Sequence, residues 1–381
     1  MDMAGRLDPV SDPFEGTGIS VRRYGARGDD VTDDTAAIQR AIDEAGKVEG
    51  TVWFPPGHYR CGMLQMRSRV ALAGSPTWAY RSHGGTVLRL LDPKASCLVN
   101  LNGTVGARVC GLALDGCGLG QGVHGIQING AGHKTEETLV IDNCRIVSFS
   151  GDGAHLEQAW GFTVRNCLFN RNTGDGIMVS HWDGWIHDNI MIGNGRYGLG
   201  CRRPTASITI TANRIEWNHD GGILLESGNH YNVTGNFIDR SGGPGLVLRG
   251  DAAMVDQRWL PGTTAITGNV FNRSGARAEP GSRESCHIWL EEVFGVSCMG
   301  NTFCFGNNDD GTGLVSPSYG MVLKSLRSSV IMGNVLHNAA VQRLILDEGG
   351  HDDVTVIRDN PGCLAPPIVA ADGTTLGAGP S

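Results

Sequence analysis

The sequence predicts an all-β solenoid of stacked parallel strands, and three observations predict it. First, an Asn returns at Asn143, Asn166, Asn189, Asn213 and Asn236, in VIDNCRI, TVRNCLF, IHDNIMI, TANRIEW and VTGNFID. It returns again at Asn269, Asn301 and Asn334, in ITGNVF, CMGNTF and IMGNVL. The steps are 23, 23, 24 and 23 residues, then 33, 32 and 33, the period of a repeat architecture whose units cannot bury a core alone. Second, the runs GAHLE, GIMVS, GLGCR, GILLE, GLVLR, HIWLE, GMVLK and RLILD follow most of these Asn residues at one offset, with the alternation of a strand. Third, the chain holds 57 Gly in 381 residues, about double the ordinary share of roughly 7%, as several tight corners per coil require. The recurring Asn predicts a ladder of stacked amides, one per coil.

From the N-terminus, residues 1–18 carry Pro, Asp and Gly without a period and read as a leader. In VTDDTAAIQRAIDEAG, Thr32 or Asp33 can cap a helix whose face is Ala36, Ile38, Ala41 and Ile42, with Gly46 as its stop. TVWFPPGHYR then reads as strand, Pro-Pro turn and strand. Asp115 is expected one coil before Asn143 in the ladder. The repeats fill residues 19–360, and residues 361–381 read as a Pro/Gly/Ala-rich tail.

Composition narrows the function. A formal charge of −8 and a pI near 5.8 argue against a nucleic-acid partner, which calls for a basic field. No run approaches the 18 or so apolar residues of a membrane span. No basic-then-apolar signal sequence opens the chain, and the compartment stays open. Eleven Cys without CxxC or zinc-type spacing read as small buried hydrophobes. GNNDDGTG, from Asn307 to Gly313, lacks calcium-loop spacing, so no metal and no cofactor is expected.

The ordered set YGARGDDVTDDTAAIQRAI, GTVWFPPGHY, VALAGS and LALDG resembles the opening of the pectate-lyase-like right-handed β-helix superfamily. The resemblance implies a single-stranded right-handed parallel β-helix of about ten coils, whose short N-terminal helix caps an otherwise open end. Lyases, hydrolases, epimerases and tailspike depolymerases share this fold, so it does not fix the reaction. Such kin imply a homotrimer. GDGAHLEQ is similar to the YGFDPHEQ segment of alginate C5-epimerases, but in-line matching puts the motif's Tyr, Asp and His on Gly151, Ala154 and Leu156. None of these can do the chemistry. VTDD, PPGHY, LDGCG, ESGNHYNVTGN and NAAVQRLILDEGG are similar, in order, to inulin fructotransferases and difructose-anhydride hydrolases. This implies a glycosidic-bond-cleaving hydrolase or intramolecular transglycosylase acting on an oligo- or polysaccharide. A lyase on a uronate glycan and a non-catalytic glycan-binding module are the alternatives.

Strand alternation makes two outward columns. One reads His155, Met178, Gly200, Leu224, Val247, Trp289, Val322, Ile345, and the other Glu157, Ser180, Arg202, Glu226, Arg249, Glu291, Lys324, Asp347. The longer coils add residues on both sides of Arg249, Glu291 and Lys324, which predicts a walled groove there. Glu226 and Glu291, two coils apart, have roots roughly 9.6 Å apart, compatible with an acid and base about 6.5–9.5 Å apart. Arg202, Arg249, Lys324 and Asp347 are candidate substrate contacts, Trp289 a stacking platform, and His181 a further acid or base. Cross-strand salt bridges would produce the same alternation of charge. Asp175 and Asp220 sit at Gly turns, which turn chemistry explains.

Overall fold

The computed structural model describes residues 18–133, 137–250, 261–366, 368–369 and 375–376. Nearly all of the leader and most of the tail therefore lie outside the described residues. Within them the chain is a parallel β-helix. Each coil lays one strand on each of three ladders, and every pairing between coils is parallel. The front ladder runs from Leu64–Gln65 and Cys97–Asn100 through His124–Asn129 and the first halves of Ala154–Arg165, Ile177–His187 and Tyr197–Thr211. It continues through Gly221–Glu226, Leu246–Arg249, Cys286–Met299, Tyr319–Arg327 and Arg343–Asp347. The back ladder is the 11-stranded sheet from Asp29–Asp33 to Thr302–Cys304. The third uses the far halves of the long strands, which turn the corner through left-handed residues such as Gln158, Ser227 and Glu292.

Alternation does the packing. Ile126, Ala154, Ile177, Leu199, Ile223, Leu246, Ile288 and Met321 pair in one column and are all buried. One apolar core runs the length of the solenoid. The helix α1 spans Thr35–Val48 and covers the first coils with Ala37, Ile38, Ala41, Ile42 and Ala45. Its N-cap is Asp34, and it runs past Gly46 to a left-handed Glu49, one residue later and two residues longer than its sequence signals indicate. Asp34 ties the preceding turn instead, accepting from the Arg27 and Gly28 amides at 2.7 and 2.9 Å.

The amide ladder is present, with a correction. Asn189, Asn213, Asn236, Asn269, Asn301 and Asn334 each pass an Nδ2–H to the next Oδ1, at 2.9–3.1 Å, the last of them to Asn360. Each Oδ1 also accepts a backbone N–H from the coil before, as in Asn213 to Asn236 at 3.0 Å. The amides from Asn189 to Asn334 are buried and satisfied, the condition for tolerating them in a core. Asn143 and Asn166 are not rungs: they stand at the corner with φ 52° and 53°, a conformation Asn tolerates. Cys144 and Cys167 take the rung, with the Cys167 N–H donating to Asn189 at 3.0 Å. Further along, Gly235, Gly268, Gly300 and Gly333 take the corner (φ 63–66°) and Asn moves into the rung. Asp115 is not a rung either, because it pairs with Val147 and Leu112 precedes Ala113 at the rung position. A second amide stack, Asn172–Asn194–Asn218, lies at the opposite corner.

RLILD is shifted by one residue. Ile345 pairs with Met321 and Asp347 with Leu323, so Ile345 turns inward and Leu346 takes the outward position. The eleven cysteines are all free thiols, seven of them buried. No described helix is long and apolar enough to cross a membrane.

Candidate active site

The outward face of the front ladder carries two different constellations. In the far half, Glu226, Arg249, Glu291 and Lys324 stand on consecutive rungs, in the expected order. Glu226 takes Arg249 at 3.0 Å, and Glu291 takes Lys324 at 2.6 Å. Arg283 approaches Glu291 at 3.7 Å and binds Glu348 at 2.5 Å. Glu226, Arg249, Arg283 and Glu291 line a cleft of about 500 Å³ with Trp289 and Glu292. The Lys324 ammonium is pushed above its ordinary value by its hydrogen bond to Glu291.

The neighbouring column is not open to solvent here. Leu224, Val247, Trp289 and Val322 pack with Cys286 against Tyr197, Tyr319 and Leu346, and Trp289 is only 7% exposed. The Arg249 guanidinium lies 5.5 Å from the Trp289 ring centroid, so the indole serves the groove floor more than an open stacking face. Asp347 does not stand beside Lys324; its carboxylate holds His351 at 2.9 Å and the Gly349 amide at 2.8 Å. The one-residue shift gives that place to Glu348. The walls also differ from expectation. The 276–285 segment contributes Arg283 to the cleft, but the 306–316 loop sends Asp309 to Arg240 and Arg273 on the back ladder. The 251–260 segment lies outside the described residues. His181 sits past the column, stacked on Trp182 at 3.8 Å and edge-on to His133 at 5.0 Å. Burial draws its pKa down.

In the near half, residues the sequence reading passed over come together. His155 and Glu157 project outward from one strand, while Asp152 and His124 arrive from the turn before it and from the coil below. The His155 Nδ1–H donates to Asp152 Oδ2 at 2.7 Å. His155 Nε2 faces Glu157 at 3.6 Å. Asp152 gives its own backbone N–H to His124 Nδ1 at 2.9 Å, which leaves the His124 proton on Nε2. Burial is the main force on His124 and takes its pKa down to about 4, against the pull of Asp152. For Asp152 burial pushes upward, yet the His155 hydrogen bond and the other donors outweigh it and hold the carboxyl below its usual range.

One coil on, Asp175 is fully buried and grips Arg202 at 2.8 Å. Burial raises its carboxyl to about 6 in spite of that cation. A Cβ at Gly200 would sit 2.5 Å from Asp175 Oδ2, so this gap in the outward column is space the carboxyl needs. The Arg202 guanidinium lies over Tyr197, 5.3 Å from the ring centroid, and among the described residues its Nε has no hydrogen-bond partner. The structure thus moves Arg202 from the far cleft, where the sequence grouped it, to the near cluster. His124, Asp152 and His155 offer ligand atoms within 4.8 Å of one another and could also hold a metal ion. Buried titratable groups whose pKa values are pushed apart are how acid–base sites are built. A repeated signal marked them: DG before the strand at Asp152–Gly153 and Asp175–Gly176, with His155 and Glu157 two residues apart after the first.

The parallel β-helix and a family-model match put the chain among the pectate-lyase-like proteins. Residues 18–247 match the model of the rhamnogalacturonase A/epimerase, pectate lyase-like family. The chain belongs to that family. Mannuronan C5-epimerase AlgE1 of Azotobacter vinelandii is 29% identical over 237 residues, 55% of this chain and 16% of that protein. Alginate lyase 7 of the same organism is 33% identical over 205 residues, 47% of this chain and 23% of that protein. The chain thus spans less than a quarter of the length of either relative. Among solved structures, the A. vinelandii AlgE4 A-module superposes with a TM-score of 0.59 at 20% identity, covering 91% of this chain and all of the module. A DFA-IIIase of Arthrobacter chlorophenolicus superposes at 0.63 with 13% identity, covering 92% and 100%. At these identities the structural likeness speaks for the fold alone.

Proposed function

We propose that the chain acts on a uronate-containing polysaccharide, by removing the proton α to the uronate carboxylate in the near half of the groove. C5-epimerisation and β-elimination share that step. The observation that carries this reading is the Asp152–His155 pair. Asp152 fixes the His155 tautomer through Nδ1–H and leaves Nε2 as a base on the groove surface, the same orienting logic as in a nucleophile–base–carboxylate relay. Arg202, held by Asp175 and backed by Tyr197, would take the substrate carboxylate and offset the charge that develops on proton loss. His124 Nε2–H adds a second donor.

The relatives support this choice, since their names are those of uronan epimerases and a lyase. The epimerase motif also reads differently once strand register is considered. Ala154 and Leu156 point into the core, and a shift of one residue exchanges the two faces of a strand. Slid by one, the motif's Tyr, Asp and His fall on Asp152, His155 and Glu157, all ionisable. The coil is taken as right-handed, the sense the crossover rule favours for parallel strands.

A second reading rests on Glu226 and Glu291, whose two-rung separation suits a hydrolase of the inverting kind. Each of those carboxylates is already engaged by a cation, a geometry suited to gripping the sugar chain. A product assay on polymannuronate and on a neutral fructan or glucan separates them. Ultraviolet absorbance of an unsaturated uronate, or a change in the uronate's configuration without cleavage, is the expected outcome. New reducing ends without either would replace the proposal with the hydrolase reading.

A further inference from the structure

The back ladder carries a second polar cavity that the front groove does not explain. It has a volume of about 710 Å³ and is lined by Tyr80, Arg81, Arg145, Arg171, Trp217 and Asp309, among others. This volume falls within the roughly 300–1,000 Å³ of ligand sites. Arg145 stands on the rung Arg145–Val147, Arg171 just past Leu168–Asn170, and Trp217 just past Arg214–Glu216. Three rung spacings separate the first coil from the last, roughly 14 Å. A segment of the chain from Ser75 to Gly85 folds over this ladder. Trp78 pins it through Nε1–H to the Asn143 carbonyl at 3.1 Å, and His83 through Asp115 at 2.8 Å.

The charges do not cancel. Arg145 is 5% exposed; among the described residues it donates to His83 Nδ1 alone, at 2.8 Å, and its Nε has no hydrogen-bond partner. Among the described residues, neither Arg145, Arg81 nor Arg171 forms an ion pair. The carboxylate in the lining, Asp309, is already held by Arg240 and Arg273. Glu216, near Tyr80, is held by Arg214 at 2.8 Å. Arg145 reaches a carboxylate, Asp115, only through His83, and Arg81 and Arg171 have none among the described residues, so three guanidiniums converge without a direct carboxylate partner in a chain of net charge −8. Burying a guanidinium without a carboxylate is costly unless an anion completes it. Two aromatic rings stand beside them: Tyr80 is 44% and Trp217 38% exposed, and Arg240 stacks on Trp217 at 4.5 Å.

We propose that this cavity binds an acidic saccharide strand, with a uronate carboxylate on Arg81, Arg145 and Arg171 and sugar faces against Tyr80 and Trp217. Forked guanidiniums match carboxylates, and amphipathic rings match sugar faces. An inorganic ion would use the arginines but neither the rings nor the length of the cavity. The site would hold polymer on the back of the solenoid while the front groove works on another stretch, raising the effective substrate concentration. It rests on the reading above only for the choice of a polyuronate as probe.

The test is affinity electrophoresis of the full chain in gels containing polymannuronate, a neutral glucan, or sulfate at matched concentration. The His155→Ala/Arg202→Ala chain, with the front grip weakened, is compared with the same chain carrying Arg81→Ala and Arg171→Ala. Both added positions are exposed, so the fold is retained. Polymannuronate should retard the first chain, and the added substitutions should weaken that binding roughly tenfold or more. Unchanged retardation overturns the proposal. So does sulfate binding as tight as uronate binding, which would make the cavity a simple anion site. Turnover of a short soluble uronate oligomer by Arg81→Ala/Arg171→Ala should stay at the wild-type level. Failure of the front-groove chemistry appears in turnover alone and leaves the gel result standing.

Discussion

The two halves of the front groove are built on the same rungs, yet they hold charge in opposite ways. In the far half the outward carboxylates meet cations on the next rung, Glu226 with Arg249 and Glu291 with Lys324, over a buried apolar floor. In the near half two imidazoles and three carboxylates crowd together: burial takes His124 down and Asp175 up, while the His155 hydrogen bond and other donors hold Asp152 down against its burial. Matched pairs make a rail that can grip hydroxyls. Mismatched, half-buried titratable groups make a place where a proton can be moved. The difference teaches that a column of charges is weaker evidence for chemistry than the burial and partners of each member.

The comparison can be broken most directly by substitution on either side. His155→Ala and Asp152→Asn should each lower turnover about 10²–10⁴-fold, measured as initial rate on polymannuronate. Glu226→Gln and Glu291→Gln should keep most of it, and the reverse pattern would move the chemistry to the far cleft. Next in size, Arg202→Ala should lower kcat/KM roughly 10–100-fold, the worth of a charged hydrogen bond. Arg249→Ala should change it several-fold at most.

A third prediction concerns pH. The Asp175 carboxyl titrates near 6 in the fold against an ordinary value of 3.8, so protonated Asp175 suits the fold better than the ionised form. Its contribution is full below the unfolded value and is lost as pH rises through about 6, up to about 3 kcal/mol. His124, drawn down to about 4, acts oppositely: its contribution is present above its unfolded value near 6.5 and lost as pH falls through about 4. Denaturant titrations of Asp175→Asn against the parent, from pH 4 to pH 7, should show the parent losing ground as pH rises. A constant difference would contradict this. Smallest of all, Glu291→Gln should shift stability by no more than about 1 kcal/mol, the range of exposed ion pairs. Chelation should leave turnover unchanged, and its loss would make His124, Asp152 and His155 metal ligands.

The fold was legible because periodicity is a many-residue signal. Eight recurring Asn residues and eight alternating runs survive an error of one position. The site was less legible because it depends on that one position. Asn143 and Asn166 look like the later rungs, but a φ-positive corner can be met by Asn itself or by Gly followed by Asn, and sequence spacing does not separate the two. RLILD shifts one residue against GMVLK, so Asp347 leaves the outward column and Glu348 enters it. Glu226, Arg249, Glu291 and Lys324 were found because their order is set by strand pairing alone. Asp152 and Asp175 were passed over because each sits in a DG turn, where Asp is ordinary, and only the coil-to-coil geometry turns them toward His155 and Arg202.

The central claim is that the near half removes the proton α to a uronate carboxylate. It is tested most directly by incubating polymannuronate with the chain in deuterium oxide and reading deuterium at C5 by NMR. The account predicts deuterium at C5 in inverted residues, or an unsaturated uronate with the C5 proton lost to solvent, and neither with His155→Ala. Cleaved chains that keep every C5 proton, at a rate unchanged by His155→Ala, would contradict it.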